Sequence, residues 1–186
     1  MRLVISLAVI LALVFPAALT NAQDAGFAKE RLIEISQNDN YELSAEQIEQ
    51  VKSSCQANKT KLTQLQASTD QSVRKRLVAY GDIQKELKAL ELRISRQGAD
   101  ASELDLMIGK LEQLLSSFRV LNQQHSDVVA ALTLINCQEE PLLYGAGINE
   151  LRNIRSSMQS QAEQLKDTIL QSRQNTFIPL IDRLLI

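Results

Sequence analysis

Residues 102–136, SELDLMIGKLEQLLSSFRVLNQQHSDVVAALTLIN, carry an apolar pattern with a period of seven. Such a heptad pattern, kept for more than four repeats, predicts a coiled-coil-like helix that buries one face against a neighbouring helix. The positions that define the pattern form two series, Leu104, Leu111, Phe118, His125 and Leu132, and Ile108, Leu115, Asn122 and Val129.

A longer helix is predicted immediately before this stretch, over about residues 44–97. Its apolar residues recur at spacings of three and four, which is the period of an amphipathic helix. Ser44 and Gln47 have the spacing of a capping box at its start, and Gly98 suits the left-handed position beyond its end. Because only a few residues join the two helices, they are predicted to pack as a long antiparallel hairpin.

A third helix is predicted over about residues 148–175, after a loop at residues 138–147 that contains one proline and two glycines. Residues 23–43 predict an N-terminal arm or a short helix followed by a loop. The predicted fold class is therefore all-α, with the hairpin extended to a three-helix bundle over residues 44–175. The apolar positions that indicate the third helix are Leu151, Met158, Ala162, Leu165 and Ile169.

The N-terminal residues 1–22 have the pattern of a secretory signal peptide. Arg2 precedes an apolar run, Pro16 interrupts that run, and small residues surround the predicted cleavage point after Ala22. Cleavage predicts an exported protein, either periplasmic or secreted from the cell. The alternative is an uncleaved anchor that leaves the protein facing outside, because the apolar run is just long enough to span a bilayer.

Composition and motifs exclude several classes of function. A net charge of −2 argues against a general nucleic-acid binder, which needs a strong basic excess. The chain has one histidine and shows no glycine-rich phosphate loop, nucleophile elbow or metalloprotease motif. The sequence therefore predicts no enzyme, no catalytic or metal-binding residues and no cofactor.

The two cysteines, Cys55 and Cys137, are an even pair in a chain with an export signal, which favours one disulfide. Counted from the Gly98 turn, the helical path to Cys55 is longer than the path to Cys137 by about 10 Å at 1.5 Å per residue. An extended segment after the second helix removes this mismatch if that helix ends near Leu134. A kink in the polar run at residues 68–72 is the alternative.

His125 occupies a heptad position where an apolar residue is expected, and Asn122 lies one turn earlier. Counting along the predicted helices places Arg76 and Glu163 at the same level of the bundle. These four residues indicate a polar layer that fixes helix register at some cost in stability. The alternative is a small-ligand or metal carrier site that uses His125 and Glu163, although one histidine and one carboxylate are few for a transition-metal site.

Residues 176–186 form a strongly apolar C-terminal tail. Two interpretations remain open for this tail: it folds onto the hairpin tip, or it docks onto a partner protein or a membrane. Its candidate contact residues are Phe177, Ile178, Leu180, Ile181, Leu184, Leu185 and Ile186.

Two short segments resemble the Leu-Thr-x-x-Gln signature of small, all-helical periplasmic chaperones of the Spy type. They are Leu43-Ser44-Ala45-Glu46-Gln47 and Leu62-Thr63-Gln64-Leu65-Gln66. The resemblance implies a holdase-like, client-binding function as one alternative.

The function predicted from the residues is that of an exported, non-enzymatic coiled-coil protein. It acts by protein–protein interaction in the cell envelope or the extracellular space, through a partner protein or self-association. No nucleic-acid partner is predicted. Membrane contact is predicted only through an uncleaved signal anchor or the C-terminal tail.

Overall fold

The computed structural model describes residues 17–38, 41–172 and 174 of the chain. Within them the chain forms four helices: α1 (Ala17–Asn38), α2 (Ala45–Arg96), α3 (Ser102–Leu134) and α4 (Pro141–Ser172). The helices pack against each other, and the described part contains no strand. The all-α prediction is therefore confirmed. Residues 1–16 of the predicted signal peptide and the tail at residues 176–186 lie outside the described residues.

Both ends of α2 follow from local sequence. The Ser44 hydroxyl accepts a hydrogen bond from the Gln47 N–H at 3.2 Å, and the Gln47 side-chain oxygen accepts one from the Ser44 N–H at 2.9 Å. This pair is the predicted capping box. After the C-cap residue Gln97, Gly98 has a φ of +76°, which a side chain would strain. The chain then turns into α3.

The central helix is α3, because each of the other three helices packs more extensively against α3 than against any other helix. Near the Gly98 turn, the Lys88 ammonium of α2 pairs with the Glu112 carboxylate of α3. At the far end, the Lys59 ammonium donates a hydrogen bond to the Thr133 carbonyl at 2.9 Å. These contacts place α2 and α3 side by side in opposite directions.

The N-terminal segment is a full helix in the structure, where the sequence left an arm or a short helix open. Leu32 of α1 is completely buried, and the helix packs against α3 and α4. Ion pairs from Lys29 to Glu140 (3.3 Å) and from Arg31 to Glu150 (2.6 Å) flank this contact. Since partly exposed ion pairs add little stability, burial of the apolar side chains Ala28 and Leu32 contributes more to the docking of α1.

The predicted loop at residues 138–147 is wrong from Pro141 onwards, because α4 begins at that residue and not near residue 148. Proline suits the first turn of a helix, where its missing N–H and fixed φ cost nothing. The glycines serve close packing. A Cβ on Gly145 would lie 2.8 Å from the Tyr41 hydroxyl, and one on Gly147 would lie 2.7 Å from a Leu132 methyl carbon.

Cys55 and Cys137 lie at disulfide distance, with their Cα atoms 5.9 Å apart. The length mismatch is resolved as the sequence allowed: α3 ends at Leu134 and Ile135 has extended backbone, with φ −65° and ψ 130°. The polar run at residues 68–72 stays helical, so the alternative of a break in α2 is not needed.

We expect the Cys55→Ser/Cys137→Ser double variant to lose about 4 kcal/mol of unfolding free energy, because the pair closes a loop across a sequence separation of 82 residues. Urea unfolding of the oxidised protein and of the variant measures this difference. Reductant should lower the midpoint of the wild-type protein and leave that of the variant unchanged. Equal midpoints for the oxidised protein and the variant would contradict the disulfide.

Candidate functional site

Three grooves follow one another between α2 and α4, which pack closely on α3 but make few contacts with each other. The amino-terminal groove lies between residues 41–65 and 144–152. The central groove lies between residues 65–80 and 155–166, and the tip groove between residues 83–93 and Ile169. Together we call these three grooves the α2/α4 trough.

The central groove has a volume of about 840 Å³ and an apolar floor. The floor includes Phe118 of α3, Val73 of α2 and Met158 of α4, all of which are buried in the bundle core. Hydroxyl and amide side chains stand above it, among them Ser72 and Gln159. An occupant of this groove would therefore contact apolar side chains below and polar side chains at both sides.

Charge in the central groove is mainly positive. Arg76 of α2 lies on one side, and Arg155 and Lys166 of α4 lie on the other, with Glu163 as the acidic residue of the lining. The Glu163 carboxylate accepts a hydrogen bond from the Gln159 amide at 3.2 Å. The groove can therefore receive carboxylate or phosphate groups, which Arg and Lys side chains bind well.

The structure divides the predicted polar layer into two parts. Arg76 and Glu163 line the central groove, as their predicted common level implies. His125 is instead fully buried, and Asn122 is partly buried one turn before it on α3. Both ring nitrogens of His125 and the side-chain oxygen of Asn122 lack a hydrogen-bond partner among the described residues.

Burial lowers the pKa of His125 below its usual value, because the protein interior disfavours the charged imidazolium. The positive charge of Arg155 on α4 lowers this pKa further, and the negative charge of Asp70 on α2 opposes the shift. His125 is therefore a neutral core residue near pH 7, and charges on both α2 and α4 act on it.

Sequence reasoning missed the cationic wall on α4. Arg152, Arg155, Gln159, Glu163 and Lys166 recur at spacings of three and four, so they form one polar stripe beside the apolar positions of this helix. Analysis of the apolar positions alone could not find this stripe. Arg152 lines the amino-terminal groove, and the other four line the central groove.

Within residues 17–38, 41–172 and 174, no group of three or more His, Cys, Asp or Glu side chains is placed to hold a metal ion. In the same part of the chain, no helix combines the length and apolar character needed to cross a membrane. No protein-family model matches the chain, and no curated protein or solved structure matches it either.

We expect His125 to make the protein less stable as the pH falls. Because the pKa of His125 is lowered in the folded state, its contribution to the free energy of unfolding is fully present above the unfolded-state pKa of about 6.5. This contribution is lost as the pH falls towards the lower pKa of the folded state. His125→Leu should remove this part of the pH dependence. Urea unfolding midpoints between about pH 7.5 and about pH 5 measure it.

The matched control for this experiment is Asn122→Leu, which makes a similar apolar change one turn away without removing a titratable group. This variant should keep the pH dependence of the wild-type protein. If the wild-type protein and His125→Leu lose stability equally over the same pH range, the buried neutral state of His125 is contradicted.

Proposed function

We propose that the chain is an exported, non-enzymatic helical protein that acts by binding another protein, and that the α2/α4 trough is the contact surface. The proposal includes the finer architecture predicted from the heptads, in which α2 and α3 form a coiled-coil-like hairpin completed by α4. The observation that carries it is the open trough itself, which has an apolar floor and which no described helix covers.

The shape of the trough favours a chain-like occupant over a small molecule. Its lining follows α2 from Gln47 to Arg93, a distance of about 70 Å at 1.5 Å per residue. A small-molecule site is instead concave and encloses most of its ligand. A helix or extended segment of a partner could contact the floor along much of this length. This argument favours protein binding over the small-ligand or metal carrier.

Two observations support export. The Cys55–Cys137 pair suits an oxidising compartment, where disulfides persist. Cleavage after Ala22 is also compatible with the described contacts of α1 with the bundle, since Ala28, Lys29, Arg31 and Leu32 all follow that point. The mature protein would therefore keep all four helices.

A holdase-like chaperone is the second candidate, and the continuity of the trough favours it. Leu65 lines both the amino-terminal and the central groove, so adjoining apolar surface is offered to whatever segment enters. A chaperone of this kind would hold segments of many unfolded clients, whereas a dedicated binder would hold one partner. The two candidates therefore differ in the number of proteins that contact the same position.

We expect export with cleavage after Ala22. When the full chain is produced in a bacterial host, the protein recovered from the periplasm or the medium should begin at Gln23. N-terminal sequencing and intact mass measure this. Intact protein that begins at Met1 and remains with the membrane fraction would support the uncleaved anchor instead.

We expect a photo-crosslinking amino acid at Ser72, in the central groove, to form a discrete heavier adduct in the cells that produce the protein. Ser117 of α3 is the matched control position, because it is also exposed but lines none of the three grooves. Electrophoresis and mass spectrometry measure the adducts. A ladder of many masses from Ser72 would favour the holdase, and an adduct of twice the chain mass would indicate self-association. No adduct specific to Ser72 would contradict the trough as the contact surface.

A further inference from the structure

Basic side chains are concentrated along the α2/α4 trough of a chain that is acidic overall. The full chain has 20 basic and 22 acidic residues. Two acidic residues, Glu86 and Glu163, line the three grooves. Six basic residues line them: Lys61, Arg76 and Arg93 from α2, and Arg152, Arg155 and Lys166 from α4.

The six cations lie apart from the ion pairs formed among the described residues. None of the six forms an ion pair with a described residue, whereas Lys29, Arg31, Lys52, Lys85 and Lys88 each pair with a carboxylate outside the trough. Charges of one sign along a cleft add to a local potential that attracts the opposite charge. The trough therefore combines an apolar floor with an excess of positive charge in its amino-terminal and central grooves, while Glu86 balances Arg93 in the tip groove.

We propose that the occupant of the trough is an amphipathic helix of a partner protein that carries an apolar stripe flanked on both sides by acidic residues. This inference rests on the proposed function and names the chemistry of the partner. The apolar stripe would contact the partly exposed apolar residues of the lining, such as Leu65, Tyr80 and Ile83. Carboxylates on its flanks would meet Arg76 on the α2 side, and Arg155 and Lys166 on the α4 side.

The arrangement of the cations on both walls distinguishes this occupant from others. An apolar helix without acidic flanks would leave six cations close to its surface without counter-charges. A nucleic acid would match the cations but would place phosphates or bases over an aliphatic floor, where Leu65, Val73, Ile83 and Leu87 offer no hydrogen bonds. An acidic amphipathic helix satisfies both the floor and the walls.

The test is a selection of peptides of about 20 residues, roughly 30 Å long as helices, from a random phage-displayed library on the mature protein. We expect the enriched peptides to carry apolar residues at helical spacing flanked by Asp and Glu. A parallel selection uses Arg76→Gln/Arg155→Gln/Lys166→Gln, which removes three trough cations. The control is Lys75→Gln/Lys110→Gln/Arg119→Gln, which removes three cations that line none of the grooves.

The affinity of the best acidic peptide, measured by fluorescence anisotropy, should fall about tenfold on the trough variant and remain unchanged on the control variant. Raising NaCl from about 0.05 M to about 0.5 M should weaken binding to the wild-type protein. Thermal unfolding of both variants, followed by circular dichroism, shows whether they remain folded. Equal affinity for both folded variants would overturn the inference.

Other outcomes separate this inference from the proposed function. Enrichment of basic or uncharged peptides would overturn the acidic partner while leaving protein binding intact. If no peptide is enriched, the inference is also overturned. The proposed function is then tested separately, by crosslinking from Ser72. Binding to anionic phosphatidylglycerol vesicles that requires the trough cations, without binding to acidic peptides, would replace the partner helix with a lipid surface.

Discussion

The burial of α3 on several sides is the constraint on which the rest of the structure depends. A coiled-coil seam needs two apolar positions per heptad, but α3 buries a third series as well, in which Met107, Leu114 and Val128 lie outside the two main series. This wider apolar face requires more than one neighbour. It explains why α1, α2 and α4 all pack against α3, and why removing any of them would expose apolar surface.

The trough follows from the same constraint. Because α2 and α4 both direct their apolar residues towards α3, their mutual contact is limited to few residues, and the space between them stays open. Cations on both walls oppose closure, since Arg76 on α2 and Arg155 and Lys166 on α4 carry like charge. These are the same charges that the proposed acidic partner would meet on the two walls.

The helices could be predicted from the sequence wherever local chemistry specifies them. The Ser44 capping box, the Gly98 turn and the heptads of α3 are local signals, and the structure contains each of the corresponding elements. The start of α4 could not be predicted, because the reason for Gly145 and Gly147 is their contact with Tyr41, Leu43, Leu132 and Leu32, which are distant in sequence. From the sequence alone, a glycine in a loop cannot be distinguished from a glycine at a close contact between helices.

The candidate site was predictable only in part, for a related reason. Periodicity placed Arg76 and Glu163 at one level, but it could not show that they face an open groove while His125 is enclosed. That distinction depends on the distance between α2 and α4, which no local pattern encodes. The unpartnered ring nitrogens of His125 and the side-chain oxygen of Asn122 lie inside the helix packing. Burial of these polar atoms costs stability, and the apolar residues packed around them offset that cost.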